Sequence, residues 1–217
     1  MLNSGKPLFQ MAFDLFGFEE TITIAEQVAP YIDILEIGTP CIKYNGLSLL
    51  SALKSKFPGK KILAELKTID AGEYETTPFY AAGADICTVL GVSDLATIEG
   101  VIKSAKIYNA VTQVDLINVD NKTECAKVSA KLGAQIVGIH TGIDAQAAGE
   151  TPFADLHKVA SLKLNDTRIS VAGGLKPEDI PQAIKAGTDI IVVGSAIYDT
   201  YNPAEVARKI RKLIDGA

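Results

Sequence analysis

Three short stretches decide the fold: Ala81-Ala-Gly83-Ala-Asp-Ile86, Lys131-Leu-Gly133-Ala-Gln-Ile136 and Lys185-Ala-Gly187-Thr-Asp-Ile190. In each, an amphipathic, helix-like segment runs into a glycine, and an apolar run follows. Glycine just past a helix end takes the left-handed conformation at little steric cost. Three copies of one helix–glycine–strand joint therefore imply three equivalent βα units.

Working outward, apolar runs fall at 8–14, 33–37, 62–66, 85–90, 111–116, 135–139, 168–172 and 189–193. They are rich in Ile, Val and Leu and mostly lack clean alternation, as strands of a parallel sheet buried on both faces do. Helical patterns lie between them, among them 19–28, 47–57, 94–108, 123–132, 177–186 and 203–214. Pro177 and Pro203, preceded by Lys176 and Asn202, read as first-turn prolines. No linker-like stretch interrupts the series. Eight βα units in 217 residues predict one α/β domain over residues 1–217, a compact (β/α)8 TIM barrel. The alternative is an open doubly wound sheet.

Bulk composition narrows the function. A net charge of −5 without a basic run argues against nucleic acid or an anionic membrane surface as partner. Three scattered cysteines (Cys41, Cys87, Cys125) without a CxxC pair fit a reducing cytoplasm better than secretion. The first ten residues lack the basic-then-apolar pattern of a signal peptide, and no run approaches the ~20 apolar residues of a membrane span.

The apolar runs end in polar residues: Asp14, Glu36, Glu65 with Lys67, Asp115 and His140 follow runs 1, 2, 3, 5 and 6. A charged group at a buried strand end is costly unless it is paired, binds a metal or is used. In a barrel these positions share the mouth at the carboxyl ends of the strands, where active sites lie. Glu36 and Glu65 are the candidate metal ligands, since Mg²⁺ takes one or two carboxylates with water and substrate oxygens; the alternative for each is an ion pair with a lysine. Lys67 has two compatible readings, stabilising a developing enolate oxygen and neutralising the carboxylates around it. His140 is the candidate proton carrier, whereas His157 falls in a helical stretch and is expected to face solvent. Asp115 orients His140 or the substrate, or holds a loop amide.

Two glycine-bearing turns follow the last two runs, Val171-Ala-Gly173-Gly174 and Val193-Gly194-Ser195. Loops after strands 7 and 8 are the common phosphate site of these barrels; the plainer reading is two tight βα turns. Together the residues describe an enzyme acting on a phosphorylated small molecule with a divalent metal, a lysine and a proton-moving histidine, chemistry suited to an enediolate beside a carbonyl.

From about Gln10 onward the chain resembles the orotidine-5'-phosphate decarboxylase superfamily, in its branch of 3-hexulose-6-phosphate synthases and 3-keto-L-gulonate-6-phosphate decarboxylases. The resemblance is carried by Asp14, Asp33-Ile-Leu-Glu36-Ile-Gly-Thr-Pro40, Glu65-x-Lys67-x-x-Asp70-Ala-Gly-Glu73, Thr88-Val-Leu-Gly91, His140-Thr-Gly-x-Asp144-x-Gln146-Ala, Val171-Ala-Gly-Gly174 and Val193-Gly-Ser195-Ala-Ile. It implies a barrel of the ribulose-phosphate-binding type in which Asp14 contacts substrate hydroxyls, Glu36 and Glu65 bind Mg²⁺, and Lys67 stabilises the enediolate. His140 would carry protons, and Gly173, Gly174, Gly194 and Ser195 would hold the phosphate. It also implies a homodimer in which Asp70 reaches into the partner's site.

The resemblance divides the branch at four positions. Decarboxylases carry Glu on strand 5, Arg just beyond the strand-6 His, Thr before the strand-7 Gly-Gly and Arg after the strand-8 Gly; here stand Asp115, Ile143, Ala172 and Ser195. This implies the synthase, which joins ribulose 5-phosphate to formaldehyde by a Mg²⁺-dependent aldol addition. The alternatives are the decarboxylase and a silent sugar-phosphate-binding protein. One position departs from the family pattern: Glu65 stands where the motif begins with Asp, and its extra methylene adds ~1.5 Å of reach.

Overall fold

A computed structural model describes residues 5–164 and 166–216; the part of the leader reading that rests on residues 1–4 lies outside them. Eight parallel strands close into a barrel in chain order: β1 (Leu8–Phe13), β2 (Ile34–Ile37), β3 (Lys61–Thr68), β4 (Ile86–Leu90), β5 (Val111–Asp115), β6 (Ile136–His140), β7 (Arg168–Ala172) and β8 (Ile190–Val193). Closure comes from β8 pairing with β1, Leu8 opposite Ile190 and Met11 opposite Val193, which excludes the open sheet. Each predicted strand lies within about two residues of an observed one.

The helices around it are α1 (Phe18–Val28), α2 (Thr39–Lys56), α3 (Gly72–Ala81), α4 (Leu95–Ile107), α5 (Lys122–Leu132), α6 (Ile143–Ala147), α7 (Phe153–Ala160), α8 (Ile180–Lys185), α9 (Ser195–Tyr198) and α10 (Pro203–Asp215). The three joint glycines adopt the expected left-handed backbone, with φ of +102° at Gly83, +101° at Gly133 and +88° at Gly187. Asn202 caps α10 by accepting from the Glu205 N–H at 3.1 Å, and Pro203 occupies its first turn as read.

Two helices depart from expectation. The pattern at 47–57 is the second half of α2, which begins at Thr39 and kinks at Gly46 (φ +58°). The segment at 177–186 opens with a 3₁₀ turn over Pro177–Asp179 before α8; Pro181 has no N–H to return to the Pro177 carbonyl, so the α-pattern starts late.

The period-2 alternation of strand side chains explains how the site is placed. One parity on each strand, including Phe9, Met11, Phe13, Leu35, Ile37, Ile62 and Val114, packs outward under the helices. The other parity points into the barrel, where Leu8, Ile34, Leu63, Ile86, Ile136 and Ile190 form an apolar floor. Each such burial contributes about 1.5–3 kcal/mol. Continuing upward on the inward parity, the floor gives way to Gln10, Glu36, Glu65, Gln113 and Asp115, all buried, with Asp14, Lys67 and His140 at the rim.

Candidate active site

The third strand makes the sharpest local departure. Its pairing with β4 runs Leu63↔Ile86 and Ala64↔Cys87, then jumps to Thr68↔Val89, so β3 carries a bulge. Lys67 sits in that bulge at φ +49°, unusual for a residue with a Cβ. The buried Thr88 hydroxyl accepts the Lys67 N–H at 3.0 Å and so satisfies the displaced amide. Bulges beside active sites re-aim side chains; Glu65 and Lys67, which share the inward parity of Leu63, both lie within this one.

Their head groups meet there. Lys67 Nζ lies 2.9 Å from Glu65 Oε1 and donates to Thr39 Oγ1 at 2.9 Å. Glu65 Oε2 accepts from the Thr39 N–H at 2.8 Å and from the Thr39 hydroxyl at 2.7 Å. Burial pulls the Lys67 ammonium down, but Glu65 first, with Asp115 and Glu36, outweighs it and holds the pKa above the ordinary lysine value. Lys67 is therefore a fixed cation at neutral pH.

His140, at the end of β6, places Nδ1 2.8 Å from Asp115 Oδ2 and 4.0 Å from Glu65 Oε1. A carboxylate only accepts, so Nδ1–H donates and Nε2 is left to act. The other Asp115 oxygen accepts from the Ile117 N–H at 2.9 Å, so Asp115 both orients the imidazole and holds a loop amide. Burial alone would lower the His140 pKa; the hydrogen bond and charge of Asp115, then Glu65, reverse this and raise it above the usual imidazole value.

Glu36 is held by the Gln10 side-chain amide, which donates to its Oε2. Desolvation raises its carboxyl well above the usual range, and the negative charges of Glu65 and Asp14 push it further. Asp14 is raised for the same reasons, burial first and Glu65 second. Among the described residues, four carboxyl groups, Asp14, Glu36, Glu65 and Asp115, thus share the mouth with one fixed cation, Lys67, and one imidazole. Carboxyl groups in that excess fit a cation, whose charge would favour their ionised form. Within the mouth, ligand atoms of Glu65, Asp115 and His140 lie within 4.8 Å of one another, a set with the oxygen and nitrogen donors to hold a divalent metal. Glu36 is not in that trio, although Glu65 belongs to both it and the expected pair.

At the far rim, Gly173 and Gly174 take φ of +123° and +68° in the turn after β7. A Cβ at Gly173 would stand 2.7 Å from the Thr141 carbonyl oxygen, and one at Gly174 would stand 2.6 Å from Gln146 Oε1. Gln146 in turn donates to the Thr141 carbonyl at 2.7 Å within the β6 turn, and the Thr141 N–H donates to the Ala172 carbonyl at 3.1 Å, tying that turn to the end of β7. Gly194 leads from β8 into α9, which starts at Ser195. Asp70 is exposed, and its carboxylate accepts from the Ala71 N–H. His157 is exposed on α7, as expected.

Sequence reasoning gave Gln10 no role and quoted Thr39 and Gln146 only within motifs. Thr39 carried a signal, a threonine at the start of a helix directly after the second strand, but its partner lies 26 residues away.

This fold and mouth define the class. The chain belongs to the orotidine 5'-phosphate decarboxylase / HUMPS family, which it matches over residues 7–210. Within that family it is 57% identical over 206 residues to the 3-hexulose-6-phosphate synthase of Methylomonas aminofaciens, an alignment spanning 95% of this chain and 98% of that one. The synthase of Mycobacterium gastri is 42% identical over 206 residues, 94% of this chain and 98% of the relative. The crystal structure of the Salmonella typhimurium 3-hexulose-6-phosphate synthase superposes with a TM-score of 0.93 at 36% identity, covering 96% of this chain and 99% of that one. The names of these relatives agree with the synthase reading of the sequence.

Proposed function

We propose that this chain is a 3-hexulose-6-phosphate synthase, a carbon–carbon lyase of the aldehyde-lyase type that joins D-ribulose 5-phosphate and formaldehyde into D-arabino-hex-3-ulose 6-phosphate. The observation that carries the reading is the convergence of Lys67, Glu65, Asp115 and His140 at the mouth of a barrel 57% identical to a synthase along nearly its whole length.

The residues divide the work as follows. The turns at Gly173, Gly174, Gly194 and Ser195 hold the phosphate, and Asp14 takes the sugar hydroxyls. His140 Nε2, made more basic by Asp115, removes the proton from the hydroxymethyl carbon beside the carbonyl. Lys67 holds the oxygen that becomes negative. The carbon then bonds to the formaldehyde carbon, and the formaldehyde oxygen takes up a proton. Ile143 stands where a decarboxylase would carry an arginine, which leaves room for formaldehyde and removes a cation from the developing carbon.

Glu36 and Glu65 are assigned as the carboxylates that hold Mg²⁺, the pair that the family resemblance implies, with Glu65 shared by the converging group of Glu65, Asp115 and His140. When bound, the ion would polarise the carbonyl and its neighbouring hydroxyl oxygen as a Lewis acid. The working enzyme is a cytoplasmic homodimer with Asp70 serving the partner's site. Two features support this: Cys41, Cys87 and Cys125 are free thiols, as a reducing compartment keeps them, and Ile69 and Tyr74, which flank Asp70, are exposed.

The test is formaldehyde-dependent consumption of ribulose 5-phosphate that EDTA abolishes and Mg²⁺ restores. No consumption at saturating metal overturns the reading.

A further inference from the structure

Glu65 has one methylene more than the aspartate of the motif it resembles, and its carboxylate is tethered. One oxygen accepts both the backbone N–H and the hydroxyl of Thr39, at 2.8 and 2.7 Å, while the other faces the Lys67 ammonium at 2.9 Å. The same Thr39 hydroxyl accepts from Lys67 Nζ at 2.9 Å. One hydroxyl thus donates to the anion and accepts from the cation of a single ion pair, and it does so from the first residue of α2. A hydroxyl has one proton and two lone pairs, so this arrangement uses it as donor and acceptor at once. The backbone of Lys67 takes a left-handed conformation within the β3 bulge, and Thr39 gives its ammonium a partner from outside the strand.

We propose that Thr39 is a positioning residue for the reaction: it fixes the Glu65 carboxylate and the Lys67 ammonium relative to each other, and the extra methylene of Glu65 is what allows the carboxylate to reach it. The proposal concerns how the site described under the proposed function is held. Thr39 does not touch the reacting atoms; it acts through Glu65 and Lys67. A shorter side chain at position 65 ends about 1.5 Å short of α2, so Thr39 and Glu65 behave as a coupled pair.

The test is a double-mutant cycle with Thr39→Val and Glu65→Asp, and Thr39→Ser as the conservative control. Thr39→Val keeps the backbone N–H and removes only the hydroxyl. Thr39→Val is expected to lower kcat about tenfold with the KM for ribulose 5-phosphate changed less than twofold, and Thr39→Ser to restore kcat to within about threefold. In the Glu65→Asp background the further loss on Thr39→Val should be much smaller. Unfolding midpoints of the same four proteins in EDTA give a second readout that needs neither metal nor turnover, and these should be non-additive in the same sense. Wild-type kcat in Thr39→Val, or equal losses in both backgrounds, overturns the proposal. If no variant consumes ribulose 5-phosphate, the proposed function fails on its own, and the metal-free unfolding cycle still decides the coupling: additive midpoints would sink it.

Discussion

His140 Nδ1 sits 2.8 Å from Asp115 Oδ2, and the second Asp115 oxygen is pinned by the Ile117 amide 2.9 Å away. The imidazole is therefore held by a carboxylate that is itself anchored through its second oxygen. This is the arrangement that selects one tautomer and strengthens the free nitrogen as a base. Asp115→Asn should leave the fold intact and lower kcat by about 10²-fold, within the range for lost general acid–base catalysis. The sign of the pH effect follows from the charge: without the Asp115 anion the imidazolium is less stable, so the His140 pKa falls from its raised value. The acidic limb of the kcat/KM profile should move to lower pH in the variant. A limb that stays in place would remove His140 from the proton-transfer step.

Glu36 predicts the pH dependence of stability in metal-free protein. Its carboxyl is raised by burial and by the charges of Glu65 and Asp14, so the folded state binds its proton more tightly than the unfolded state does. Stability from this group is complete below the unfolded pKa and is lost as pH rises through the folded one. Glu36→Gln should therefore raise the melting temperature in EDTA at neutral pH by at least ~2 °C, and the gain should vanish below about pH 4.5. If Glu36 holds Mg²⁺ as proposed, the wild type should be stabilised by Mg²⁺ and the same variant should lose most of that stabilisation. Thermal melts across pH, with and without metal, check both halves.

Gly173 tests the turn proposed to hold the phosphate. At φ +123°, with a Cβ position 2.7 Å from the Thr141 carbonyl, Gly173→Ala is strained twice, by backbone and by contact. A cost of about 1–3 kcal/mol is expected. Where the variant folds, the proposed phosphate role predicts that KM for the sugar phosphate rises far more than kcat falls, since the phosphate is remote from the chemistry. Chemical denaturation and steady-state kinetics separate the two.

Asp70 tests the assembly. If it serves the partner's site, Asp70→Ala and Lys67→Ala homodimers are each inactive, but mixed after reversible dissociation they form heterodimers with one intact site. About a quarter of wild-type activity should return in an equal, fully exchanged mixture, by the statistics of subunit pairing in a two-fold dimer. Sedimentation should find a dimer before and after. No recovery, with exchange demonstrated, would place Asp70 in its own subunit's site or outside catalysis.

Much of this was legible along the chain. Closely matching strand positions, the left-handed joints at Gly83, Gly133 and Gly187, and the shared mouth of Asp14, Glu36, Glu65, Asp115 and His140 all follow from local pattern. Apolar runs, glycine joints and strand-end polarity are properties of neighbouring residues, and a barrel converts strand ends into one place. The inward parity of each strand, which lines up the apolar floor beneath the polar rim, was hidden because both faces are buried and the runs look uniformly apolar.

The sequence by itself determined the barrel, its one polar mouth and the residues at its rim, because these depend on periodicity and on the cost of burying charge. Only the tertiary structure decided how those residues meet: the β3 bulge that turns Lys67, the Asp115 clamp on His140, the Gln10 amide on Glu36 and the Thr39 hydroxyl between Glu65 and Lys67. Apart from the strained backbone at Lys67, these are contacts between residues about 25 or more positions apart. Their geometry is set by strand register and helix docking, which no local pattern encodes.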